Sequence, residues 1–167
     1  MKRLFVILIL TFAAYAGYAQ RSIVIDTEKI FKSQNDYNTA MTRIETLSEQ
    51  YQKRVDDQFD AIETMYNDYQ RVRANLSEAQ RRQREDAIIN REREATRLQQ
   101  DLFGPDGDLM RQRIDLLKPI QERVFGVIDR YARENGIDLV IDSASNPAYI
   151  YISDSINKTD EIINLLK

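Results

Sequence analysis

From about Glu28 to Glu134 the chain shows few turn signals, and apolar residues recur at three- and four-residue steps between dense charges. Ile44, Leu47, Tyr51, Val55, Phe59, Ile62, Tyr66 and Tyr69 follow this rhythm. Their mean step is about 3.5, the coiled-coil value. Asn75-Leu76-Ser77 is the natural place for a turn. Ser77 with Gln80 three residues on makes a capping box that starts a second helix. In that helix Ile88, Ala95, Leu102 and Leu109 recur every seven residues, with Leu98 between. The pattern predicts a hairpin of two antiparallel helices, each burying the other's stripe. An arm from Glu28 to Ala74 spans about 70 Å at about 1.5 Å per residue.

Period-two patterns flank this helical stretch. Ser22 to Asp26 reads as a β-branched strand, and Thr27 could cap the helix that follows. Asn135-Gly136 is a helix stop. Ile137–Asp142 and Ala148–Ile152 read as two further strands around a turn at 143–147. Thr159-Asp160 caps a last short helix. Three short strands and one short helix make a thin core for so long a lever. Self-association is expected on that ground. Ile23, Ile25, Val140, Ile141, Ile150 and Ile152 are expected to bury against the shared body or other protomers.

Phe103-Gly104-Pro105-Asp106-Gly107 cannot continue a smooth helix, since Pro105 lacks a donor and crowds the preceding turn. If the hairpin folds at residue 76, the break lies across from about Ser48. Gly104, Pro105 and Gly107 are therefore candidate hinge residues.

The first residues differ in kind. Met1-Lys2-Arg3 is a basic start, Leu4 to Ala14 is nearly all apolar, and Gly17 and Ala19 sit where a signal peptidase reads. Cleavage after Ala19 leaves Gln20 as the new N-terminus. The apolar run is shorter than the roughly 20 residues of a spanning helix, so no stable membrane anchor is expected. The net charge of −3 becomes −5 without Lys2 and Arg3 (−3 − 2). Mildly acidic balance argues against a nucleic-acid partner. With no His and no Cys in the chain, a Ser-His triad, a His-ligated metal and a disulfide are all excluded. No Gly-rich phosphate loop occurs. Asp138, Asp142 and Asp154 read as strand-end and turn residues rather than a carboxylate cluster. No enzyme activity, cofactor or metal is expected.

The strand RSIVIDTEKIF, the stretch LLKPIQERVFGVIDRYARENGIDLVIDSASNPAYIY and the tail INKTDEIINLL together resemble the OmpH/Skp family of periplasmic chaperones. FGPDGD before LLKPIQ resembles the form found in Bacteroidetes-type bacteria. The resemblance implies an α+β, mostly α fold. A long antiparallel coiled-coil hairpin, the tentacle (about 46–104), stands on a small β-sheet body (about 20–45 and 105–167) in a jellyfish-like homotrimer. It also implies an ATP-independent holdase for unfolded outer-membrane proteins, which works before the outer-membrane insertion machinery. A structural coiled-coil spacer of the envelope is the competing reading, but it needs a second attachment point that this chain lacks.

One departure from the family is charge. Proteobacterial members have strongly basic tentacles. Here Ser77 to Arg97 carries six arginines (Arg81, Arg82, Arg84, Arg91, Arg93, Arg97) against five acids (Glu78, Glu85, Asp86, Glu92, Glu94). Client contact is then expected to rest on apolar residues off the seam. Met65, Val72 and Ile89 are the candidates.

Overall fold

The computed structural model describes residues 21–145 and 148–167. The signal segment expected at 1–19 lies outside them. In order, the elements are β1 (Ser22–Ile25), α1 (Thr27–Lys32), α2 (Asn35–Val72), a 3-10 turn (Arg73–Asn75) and α3 (Glu78–Phe103). Then come α4 (Asp108–Glu134), β2 (Leu139–Asp142) and α5 (Thr159–Leu165). The chain divides into two compact units. One comprises the described residues up to Asn35 together with Gln121–Lys167; the other is Asp36–Ile120.

In the first unit β1 and β2 pair in parallel, with Ile23 opposite Val140 and Val24 opposite Ile141. Ile23, Val24 and Ile25 are all buried, as expected of a parallel strand covered on both faces. The core gathers Ile23, Ile25 and Ile30 with Val124, Val127 and Ile128 of α4 and Ile162 of α5. Val140 packs at its edge.

The third strand expected at 148–152 does not form. The free side of β1 is occupied instead by one parallel bridge, Val24 to Asn157. Val24 donates to the carbonyl of Ile156 (2.9 Å) and accepts from Lys158 N–H (2.9 Å). Ile150 is fully exposed and Tyr151 nearly so. Within one chain, then, Ile150 is not a core residue: it lies outside any strand and its side chain meets solvent. Ile152 and Ile141 are half-buried.

Two further corrections concern α1. Its cap is Asp26, which accepts from Lys29 N–H at 2.9 Å. Thr27 is the first helical residue, and its hydroxyl donates to Asp142 Oδ2 at 2.7 Å. Nor does one helix run unbroken from Glu28. It stops at Lys32, where Ser33 N–H bonds Lys29 O, Gln34 N–H bonds Phe31 O, and the Ser33 hydroxyl takes Ile30 O at 2.7 Å. A short polar side chain competing for backbone carbonyls ends the helix.

The carboxylate of Asp142 holds this unit's strand end to the start of α1. It accepts from Thr27 N–H (3.1 Å), the Thr27 hydroxyl, Ala144 N–H (3.0 Å) and the Ser145 hydroxyl (3.0 Å). Asp138 accepts from Arg21 N–H at 2.9 Å. Both are strand-end residues. The expected stop at Asn135-Gly136 is also found: Gly136 has φ +60°, and Ile137 N–H returns to Ala132 O at 2.9 Å.

Candidate functional site

The second unit is the helical hairpin. The turn lies where the sequence places it, and the Ser77–Gln80 capping box is complete on both sides. Ile62, Tyr69, Ile88 and Ala95 form a buried cluster between α2 and α3. The Tyr69 hydroxyl donates to Glu85 across the hairpin, and this bond raises its pKa. Farther along, the Tyr51 and Phe103 rings meet edge-to-face at 6.3 Å. These contacts fix which face of each helix is inside.

The inside face of α2 is not quite the one expected. Val55, Ile62 and Tyr69 are buried, but Gln58 and Met65, not Phe59 and Tyr66, are the partly buried residues between them. Phe59 is 41 % exposed and Tyr66 51 %. Met65 packs against the Ile62–Ile88 cluster, which corrects its placement off the seam. Val72 and Ile89 are exposed. On α3 the expected Ile88, Ala95 and Leu102 are buried.

Phe59 and Tyr66 lie on the flank of the seam, and the same flank reads Glu49, Gln52, Asp56, Phe59, Glu63, Tyr66 at alternating three- and four-residue steps. All six are exposed. Neighbours three and four apart on a helix touch, so Glu63 sits between the two rings and Asp56 beside Phe59. Asp56 accepts from Gln52 at 2.8 Å. Among the described residues no ion pair engages Glu63. This acidic flank lies on α2, outside the nearly balanced stretch Ser77 to Arg97 of the other helix.

The break before α4 is a tight corner within the hairpin unit. Gly104 N–H bonds Gln100 O (2.8 Å), Gly107 N–H bonds Gly104 O (2.9 Å), and Arg111 N–H bonds Gly107 O (3.1 Å). A Cβ on Gly104 would meet Gln100 O at 2.4 Å, and one on Gly107 would meet Gly104 N at 2.8 Å. Glycine is required at both by close backbone approach. A second irregularity, Pro119 inside α4, was not anticipated from the sequence. It removes one intrahelical donor.

Among the described residues no group of acids could hold a metal ion, and no helix is long and apolar enough to cross a membrane. The concave sites are open. One groove of about 820 Å³ is lined by α3 residues alone, including Glu78, Arg82 and Asp86. Such a surface can bind a chain along its length but does not enclose a reacting group.

Among curated proteins none matches this chain. Among solved structures it is similar to a candidate outer membrane chaperone (OmpH-like) from Caulobacter crescentus CB15. The TM-score is 0.68 with 10 % identity over 89 % of this chain and 85 % of that one, a likeness of fold alone. The family model described as outer membrane protein (OmpH-like) matches residues 21–166. That match spans nearly all of the described sequence, and the chain belongs to the OmpH-like family.

Proposed function

We propose that this chain is an ATP-independent periplasmic holdase that binds unfolded outer-membrane proteins and keeps them from aggregating. Membership of the OmpH-like family supports a chaperone role. The observation that carries the finer reading is the hairpin. Its two helices bury one seam against each other and leave Phe59, Tyr66, Val72 and Ile89 outside it. Exposed apolar residues on a long open surface suit a client without fixed shape. Without a nucleotide, release follows from many weak contacts and from competition by the outer-membrane insertion machinery.

The working form in this reading is a homotrimer. Leu139 of β2 and Tyr149, Ile150 and Tyr151 after it are exposed in the single chain, and three copies would cover them. Cleavage after Ala19 would deliver the chain to the periplasm.

The test is the refolding of a denatured β-barrel outer-membrane protein with and without the purified chain, scored for aggregation in the absence of nucleotide. The reading requires suppression at near-stoichiometric trimer. Equal aggregation in both arms would refute it.

A further inference from the structure

We infer that the flank of α2 carrying Phe59 and Tyr66, interleaved with Asp56 and Glu63, is the client-contact surface. Its preferred occupants are unfolded segments in which Arg or Lys alternates with aromatic residues. This inference rests on the holdase reading and specifies what that holdase selects.

Three observations lead to it. The hairpin partner does not cover this flank: Ile62, Tyr69 and Met65 face α3, while both rings remain about half exposed. The rings are not scattered. They stand seven residues apart in one row, so they recur along a single line on the helix surface. And the row between Glu49 and Tyr66 contains three carboxylates and no basic residue. The neighbouring cation, Lys53, lies four residues from Glu49 and three from Asp56 and is paired with Asp57 at 2.9 Å, which leaves Glu63 as the carboxylate farthest from it.

An aromatic face beside a carboxylate has a definite complement. A guanidinium can stack on a ring within about 6 Å of its centre. It can at the same time present its fork of N–H donors to an adjacent carboxylate. Glu63 lies between the rings and so serves either neighbour. The hairpin already shows the stacking half of this arrangement within itself, with Arg54 lying 5.8 Å from the centre of the Tyr51 ring. An acidic client segment would meet Asp56 and Glu63 with like charge and be disfavoured.

The row from Glu49 to Tyr66 is about 26 Å long at about 1.5 Å per residue, room for roughly eight residues of extended chain at about 3.3 Å each. Each contact is weak and exposed, so affinity comes from several made together, and dissociation stays easy.

The test uses the full mature chain and three short synthetic peptides: one alternating Tyr with Arg, one with Glu in the Arg places, and one with Ser in the Tyr places. The Tyr–Arg peptide is expected to bind at least about tenfold more tightly than either other. The Phe59→Ser/Tyr66→Ser variant should lose about tenfold toward the Tyr–Arg peptide. The Asp56→Asn/Glu63→Gln variant should lose several-fold, and its remaining binding should respond less to salt. Should the aromatic variant unfold, the charge variant decides alone, since it alters only exposed positions. Equal binding of the Tyr–Arg and Tyr–Glu peptides, or unchanged binding by the charge variant, overturns the inference. If the unmodified chain suppresses aggregation of a β-barrel protein while these outcomes occur, the holdase reading stands and only this surface is wrong.

Discussion

Replacing Ile62 by alanine, and separately Phe59 by alanine, tests which face of α2 is the seam. Ile62 is 7 % exposed and packs with Tyr69, Ile88 and Ala95. Truncating a buried Ile to Ala costs about 2–5 kcal/mol. Only one partner helix lines this seam, so neighbours can partly close the gap, and about 2–3 kcal/mol is expected. Phe59 contacts the hairpin less, and substitutions at such surfaces change stability by about 0.5 kcal/mol. Alanine's better helix propensity offsets some of even that loss. For a chain of this size about 1 kcal/mol moves Tm by roughly 2–4 °C. Ile62→Ala should therefore lower Tm by roughly 4–12 °C, and Phe59→Ala by at most about 2 °C. Circular dichroism melts at one fixed protein concentration make the comparison, because an oligomer's Tm depends on concentration. A Phe59→Ala loss equal to or larger than that of Ile62→Ala would refute the seam assignment, and the client surface drawn from it would fall too.

Burial pushes the Asp142 carboxyl up, but hydrogen bonds from Thr27, Ala144 and Ser145 outweigh it and hold it below its usual value. Its contribution is therefore full above the unfolded value near 3.8 and is lost as pH falls through the lower folded value. Asp142→Ala should cost about 1–3 kcal/mol at neutral pH and flatten the acid limb of a stability–pH curve; an unchanged acid limb would contradict this. Burial and donation to Glu161 push Tyr131 up to about 12. In an alkaline absorbance titration Tyr131, together with Tyr69, should ionise later than the ordinary tyrosines, and the stability Tyr131 contributes below about pH 10 should be lost toward pH 12; a Tyr131→Phe variant identifies its step. Gly104→Ala puts a methyl against Gln100 O and should cost about 1–3 kcal/mol, read by urea unfolding; a neutral result would mean the corner yields freely, as a hinge must. Ile141→Asp should dissociate the proposed trimer in sedimentation; a stable monomer of the unmodified chain at micromolar concentration would refute the assembly itself.

Local chemistry was enough to read several elements from residues alone. Ser77 with Gln80 defines the start of α3 because both capping bonds lie within four residues. Gly104 to Gly107 must break a helix wherever it occurs, since neither the missing donor of Pro105 nor the glycines depend on distant partners. Ile88, Ala95 and Leu102 recur every seven residues in an otherwise mostly polar helix, and that repeat singles out one face as the buried one. The face of α2 was different. Val55, Ile62 and Tyr69 are common to two possible seams, one completed by Phe59 and Tyr66 and the other by Gln58 and Met65. Hydrophobicity alone favours the aromatics. The side on which α3 lies favours the second pair, and that is a tertiary fact no single helix encodes. The candidate client surface follows from the same choice, because the rings that lost the seam became the exposed row. The missing third strand has a similar cause. AYIYI alternates well, yet no strand forms at 148–152 in one chain, and the neighbour that β1 takes on its free side is the Ile156–Lys158 backbone, which has no strand pattern. Strand pattern states what a segment can pair with, and only the assembled fold decides which edge is still open.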